Sequence, residues 1–421
     1  MFKGRISQKQ LVLIGMNDNK KNKKILFLME YPIDLPGGGQ MSTQTLCEGI
    51  TAYAAKDYSG YKFGECITED CYDAVVACPE LLTKKIEDYP FKVVTYVSDE
   101  NRELSKFSRI KNFLSRITSF KRIIKQEKPD IIHVSMSESL ISFGFLRCLG
   151  FFSKIPFVYT DRGLCYGYRK HSKVCIKATM KHAARMLTTT QFNRNLWLKE
   201  SIPCDITVIP NTISPAFDEY NPETRTIMRN RYGLSEDDFV IGFAGRISEE
   251  KDWPVVSKLV KALKDEGVSF KVALVLSVYE DRDAQIVLDI KKGITDSIGE
   301  ENLIYMQDLS QKDISDYYYM VDVFVMTSVF ESFGKAAVEA MSRKCAVVST
   351  AVGGLPEVIG RDEDLYTKDD LTTFTKRVTL LRDNKELRNE EREYFYNRYR
   401  ELFTKEMNVL RHLDVYREIL K

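Results

Sequence analysis

VFVMTSVFESFGKAAVEAM, residues 323–341, is the stretch from which the architecture of this chain can be worked out. Its first four residues form an uninterrupted apolar run, the pattern of a strand buried on both faces within a parallel sheet. A short loop follows, and Gly334 then opens an alanine-rich helical segment. Unpaired backbone N–H groups at such a helix start, reinforced by the helix dipole, favour an anion, and a diphosphate is the natural fit. Glu331 precedes the first turn, and Glu339 lies about five residues into the helix, ~7 Å along its axis. That spacing suits a ligand with hydroxyls at both ends of a phosphate bridge. Glu339 sits among Ala336, Ala337, Val338, Ala340 and Met341, where a carboxylate is costly unless something such as a sugar diol hydrogen-bonds it.

Upstream, residues 240–252 read VIGFAGRISEEKD, a strand ending at Gly245 and followed by Arg246 and Lys251. Arg246 offers a planar fork to phosphate oxygens and Lys251 a mobile point charge, the usual division of labour at a diphosphate. Loop cations are commonly a solvated face. Their place after a strand of the same half as Glu331 favours the phosphate reading.

Working outward, short apolar runs alternate with amphipathic segments along the whole chain, which predicts α/β structure with parallel strands and helical crossovers. Strands are expected at 24–29, 74–77, 93–97, 131–134, 157–160, 186–189 and 206–209, then at 239–243, 271–276, 303–306, 323–326 and 346–349. Between the two series, residues 210–226 contain Pro210, Pro215 and Pro222. The expected organisation is a Rossmann-like domain over 1–212, a second over 213–384, and charged helices over 385–421 that cross back to the first. Ligands of open α/β sheets bind beyond the carboxyl ends of the strands, so functional residues should sit just after strands and face an interdomain cleft.

The 421 residues are 44% hydrophobic and 29% charged, with no run of the ~18 apolar residues a membrane-spanning helix needs. Met1 to Lys9 lacks the apolar core of a secretory signal, and the nine cysteines have neither Cys-x-x-Cys spacing nor neighbouring histidines. A soluble, cytoplasmic protein with reduced thiols is expected. The net charge of +2 hides an asymmetry: residues 1–210 carry 32 Lys+Arg against 21 Asp+Glu, and the remainder 30 against 39. The first half therefore meets an anionic acceptor or the cytoplasmic membrane surface, or is only unevenly solvated. Residues 104–128 predict an amphipathic helix with Phe107, Ile110, Leu114, Ile117 and Ile124 on one side, either packed on the sheet as a crossover or resting on anionic lipid.

These motifs resemble the retaining GT-B-fold glycosyltransferases that include bacterial cell-envelope transferases and the sucrose- and glycogen-type synthases. The likeness runs from Gly37, Gly38 and Gly39 through Gly-Arg-x4-Lys and Glu-x7-Glu to Gly353 and Glu357. It implies a nucleoside diphosphate sugar donor, with Arg246 and Lys251 (following Gly245) on its diphosphate, Glu331 on the transferred sugar and Glu339 on the ribose diol. Backbone amides around Ser332, Phe333 and Gly334 would assist, and Gly38 and Gly39 would approach the phosphates. The implied reaction moves a hexose or N-acetylhexosamine, from a UDP-sugar in particular, to a carbohydrate or lipid-linked acceptor hydroxyl, with retention, in cell-envelope, capsular or exopolysaccharide synthesis. An epimerase or phosphorylase on the same plan, or a silent partner of another transferase, are the competing readings.

The chain departs from the family pattern where a Thr-x-His is common: here stand Thr160, Asp161 and Arg162. An arginine is no base near neutral pH. Arg162 therefore receives an anionic acceptor or pairs with Asp161, and His133, at the end of its strand, is a further acceptor-side candidate. The triplets Asp281/Asp283 and Asp362/Asp364 could suggest a metal pair, but two cations on the diphosphate make a metal redundant, and the triplets read as surface acidic loops. Neither a resident cofactor nor a nucleic-acid partner is expected.

Overall fold

The structure is a computed structural model describing residues 22–56, 60, 63, 71–98, 106–278 and 283–421. Met1 to Lys9, Cys66 and Asp281 lie outside the described residues, as do positions 104 and 105 of the expected amphipathic helix and the side chain of Phe107.

Two all-parallel sheets carry the chain. The first contains β1 (Lys23–Leu28), β2 (Tyr72–Pro79), β3 (Lys92–Tyr96), β4 (Ile131–Val134), β5 (Phe157–Asp161), β6 (Arg185–Thr188) and β7 (Ile206–Val208), in the order β3-β2-β1-β4-β5-β6-β7. The second contains β8 (Val240–Arg246), β9 (Lys271–Ser277), β10 (Leu303–Gln307), β11 (Val323–Met326), β12 (Ala346–Thr350) and β13 (Leu365–Tyr366), in the order β10-β9-β8-β11-β12-β13. The two-residue β13 is too short to give a periodic signal and is absent from the expected strands. Helices on both faces account for the near-continuous burial of the strands, as in Ile25 to Leu28 and Val323 to Met326.

In each sheet the order reverses beside the first strand of its series, between β1 and β4 and between β8 and β11. Crossovers leave in opposite directions at such a point, opening a crevice at the carboxyl edge. The turn after β1, the turn after β8 and the loop after β11 all emerge there.

The last helix, Lys405–Ile419, buries Val409, Leu413 and Tyr416 against Ile25, Phe27 and Val76 of the first sheet. The preceding helix, Lys385–Leu402, contributes Phe395 and Tyr399 to the core of the second domain.

Two expectations need correction. The amphipathic helix spans Lys106–Glu127 and buries Ile117, Phe120, Ile123 and Ile124, but Ile110 and Leu114 are 59% and 55% exposed. The buried side of this half of the helix runs through Asn112 and Arg116, 5% and 7% exposed, which turns Ile110 and Leu114 outward. Nor do the acidic triplets lie wholly at the surface: Asp362 is exposed, but Asp283 is buried at a helix start and Asp364 is buried against the Arg377 guanidinium at 2.7 Å.

Candidate functional site

The carboxyl ends of β8 and β11 are neighbours, so the segments that leave them are stitched together. Thr327 Oγ1 donates to the Lys251 carbonyl at 2.6 Å, and the Val329 amide to the Glu250 carbonyl at 2.9 Å. Lys251 ends a single 3-10 turn, Glu249–Lys251. Its ammonium donates to Glu331 Oε2 at 2.8 Å and to Ser328 Oγ at 3.4 Å. Both charged side chains are mostly buried, 19% and 17% exposed. Arg246 differs: its side chain is 61% exposed and only 3.9 Å from Glu250, while its carbonyl is pinned by Trp253 Nε1 at 2.7 Å. The strand end is fixed and the guanidinium stays at the rim, not beside Lys251 and Glu331.

Two glycines shape the loop after β11. Gly334 has φ +98° and a Cβ there would lie 2.5 Å from Leu355; Gly353 has φ +57° and a Cβ there would lie 1.8 Å from the Glu331 carbonyl. Both positions require glycine. The Gly354 amide donates to that same carbonyl at 3.0 Å, which locks the backbone of Glu331. Phe333 is buried edge-on against Phe403, anchoring the loop from below. Gly334 then caps the helix Lys335–Ser342 with no side-chain cap bond, leaving its first amides for a ligand. Glu339, half-buried, accepts from Tyr318 Oη at 3.2 Å. Burial pushes its carboxyl up to about 7, against the opposing pull of Lys335 and Tyr318.

The facing wall comes from the first domain. Gly38 and Gly39 form the first turn of the helix Gly38–Ala55, whose cap residue Gly37 also supplies no side-chain bond. Arg162, just past β5, is half-buried and donates to the Ser135 carbonyl at 3.2 Å. Burial lowers its guanidinium to about 10, so it remains a cation. The structure does not turn it toward the Asp161 carboxylate, which is 1% exposed and accepts from Tyr168 Oη, Trp197 Nε1, Asn193 Nδ2 and the Gly163 amide. Asp161 thus braces the loop that follows it. His133 is fully buried, its ring nitrogens 2.6 Å from Tyr416 Oη and 2.7 Å from Thr160 Oγ1. Burial holds the imidazole neutral, its pKa well below the usual range, under the cleft and not on its surface.

Three contacts close the cleft: Thr190 Oγ1 donates to the Ser332 carbonyl at 3.2 Å, Glu357 accepts from the Gln191 amide at 2.6 Å and from the Phe192 amide, and Tyr166 meets Phe330 edge-on. A fourth is Lys335, whose ammonium donates to the Gly38 carbonyl at 3.0 Å and to Ser42 Oγ at 2.8 Å. Sequence reasoning missed Lys335, Glu357 and Tyr318. The first two lie inside the quoted motifs, where Lys335 passes for an ordinary helix former, and the tyrosine that holds Glu339 is 21 residues away from it.

Residues 224–398 match the family described as glycosyl transferases group 1, and residues 61–217 match glycosyltransferase family 4. The chain is 31% identical to the 2-deoxystreptamine glucosyltransferase of Streptomyces kanamyceticus over 157 residues, 37% of this chain and 39% of that protein. It is 22% identical to the capsular polysaccharide biosynthesis glycosyltransferase CapM of Staphylococcus aureus over 325 residues, 72% of this chain and 80% of that protein. Among solved structures, a glycosyltransferase from Rickettsia africae has a TM-score of 0.71 at 18% identity, covering 96% of this chain and all of that one. Anabaena HepE in complex with UDP has a TM-score of 0.72 at 16% identity, covering 94% of this chain and all of that one. At these identities the two structures speak to the fold alone, which is GT-B.

Proposed function

We propose that this chain, whose residues 224–398 match the glycosyl transferases group 1 family, transfers a hexose or N-acetylhexosamine from a nucleoside diphosphate sugar to an acceptor hydroxyl, with retention at the anomeric carbon. The observation that carries this is the meeting of the Lys251–Glu331 pair with an uncapped helix start on one wall and a second uncapped helix start on the other. On this reading the Lys251 ammonium, balanced by Glu331 until a donor enters, and the two helix starts turn to one crevice, where a pyrophosphate would satisfy all three. Glu331 anchors the sugar and Glu339 the ribose, with Arg246 closing from the rim. HepE is described with UDP and with UDP-glucose, which favours a uridine nucleotide, and relatives such as CapM favour a cell-surface glycan as product.

As the bond from the anomeric carbon to the phosphate oxygen stretches, negative charge grows on the leaving diphosphate. Lys251 and the tip of the helix Lys335–Ser342 stabilise that state more than the bound donor, which is what accelerates the step. His133 is buried with both ring nitrogens engaged, and Arg162 keeps its proton. The departing phosphate oxygen therefore accepts the acceptor's hydroxyl proton as the new C–O bond forms on the same face. No resident metal or cofactor enters this scheme.

The exposed side of the helix Lys106–Glu127 supports a further part of the proposal. Ile110 stands exposed between Arg109 and Lys111, Leu114 is exposed one turn further on, and Phe113 meets the exposed Phe145 of the neighbouring helix edge-on. Apolar side chains among lysines and arginines suit the anionic cytoplasmic leaflet that carries a lipid-linked acceptor. The test of the whole reading is nucleoside diphosphate release from UDP-, GDP- and ADP-sugars. Release that rises on adding a glycan or lipid-linked acceptor supports transfer; isomerised donor without release would replace it with an epimerase.

A further inference from the structure

Lys335 is the residue that the proposed chemistry leaves without a role. It is the first residue of the helix Lys335–Ser342, next to Gly334 and one turn before Glu339. Its ammonium is carried across the seam to the first turn of the helix Gly38–Ala55, on the Gly38 carbonyl and the Ser42 hydroxyl. Electrostatically this is an odd place for a cation. It sits at the positive ends of two helix dipoles, and Arg162 of the facing wall repels it as well. Among the charged groups of the described residues, Glu339 on its own helix opposes that repulsion. An ammonium has three N–H donors, and among the described residues two of Lys335's are used on the facing helix. A multivalent anion between the two helix starts would neutralise every one of these positive centres and take the third donor.

We propose that Lys335 is a third cation of the donor site, gripping the pyrophosphate from the domain seam while it holds the glycine turn of the first domain in place. This rests on the nucleotide-sugar reading above and adds to it a coupling: the same ammonium binds donor and joins the domains, so donor affinity and domain closure rise and fall together.

The experiment is calorimetric titration of the full chain with UDP and with inorganic pyrophosphate, for wild type, Lys335→Met, Lys335→Arg and Lys251→Ala. Removing a charge-assisted bond to phosphate corresponds to about a 10-fold or greater loss of affinity. Lys335→Met should show that loss for both probes, and Lys335→Arg should recover most of it. Burial lowers the Lys335 ammonium to about 8, so wild-type affinity for UDP should fall as pH rises through that value. The fall should vanish in Lys335→Arg, while Glu339 and Arg162 are still present. Wild-type affinity in Lys335→Met, alongside loss in Lys251→Ala, would overturn the role of Lys335 and leave the donor reading intact. Affinity untouched by either substitution, or no wild-type binding of either probe, would overturn both.

Discussion

Replacing Lys251 by Met separates a structural ion pair from a working one. The ammonium is 2.8 Å from Glu331 and both side chains are mostly buried, so removing it strands a carboxylate. A charged hydrogen bond lost at such a site costs about 1–3 kcal/mol of stability, and at about 2–4 °C per kcal/mol for domains of this size the melting point should fall by several degrees. If Lys251 also stabilises the leaving diphosphate, turnover should drop on the order of 10²-fold, the scale for losing a preorganised group aimed at developing charge, or about 2.7 kcal/mol. The double variant Lys251→Met/Glu331→Gln removes the stranded charge and so isolates the structural cost, while Glu331→Gln alone gives the turnover lost with the sugar anchor, below which the double variant should fall further if Lys251 acts on the diphosphate. Melting by scanning calorimetry should return most of the way to wild type, whereas donor turnover should stay low. Recovery of both, or a single variant within about 3-fold of wild-type turnover, would refute the assignment and leave the pair as scaffolding.

Glu339 gives a pH signature. Burial raises its carboxyl from 4.5 to about 7 in the folded chain, so the stability it contributes as a neutral acid is present below 4.5 and lost as pH rises through 7. The melting temperature of wild type minus that of Glu339→Gln should therefore decline across that window and level off above it, while UDP affinity in the variant should fall about 10-fold. Glu357 accepts the Gln191 and Phe192 amides at the start of the helix Gln191–Lys199. Glu357→Gln should cost about 0.5–2 kcal/mol, as removal of a helix cap does, and should raise the radius of gyration in small-angle scattering as the domains separate.

Much of the fold was legible because parallel strands buried on both faces carry their signal locally. Val323 to Met326 is apolar from end to end, and both it and Ile131 to Val134, which is interrupted by His133, match their expected limits. The stretch around Glu331 could be placed at a strand-to-helix junction because Gly334 must sit where only glycine fits. What stayed hidden depends on partners far along the chain. Asp364 lies in a charged triplet, and only Arg377, folded back upon it, makes burial tolerable. Lys335 meets Ser42 from 293 positions away, and no periodicity reports a contact between domains. The exposure of Ile110 and Leu114 follows from which side of the helix is buried, the one that carries Asn112 and Arg116, and that choice needs the neighbouring elements in space.

The central claim is that one interdomain crevice holds a pyrophosphate between the Lys251 ammonium and the tip of the helix Lys335–Ser342. A crystal structure of the chain with UDP tests it most directly. Phosphate oxygens should lie within hydrogen-bonding distance of Lys251 Nζ and of the first amides after Gly334, with the ribose hydroxyls on Glu339. A nucleotide bound elsewhere, with Lys251 still closed on Glu331, would contradict it.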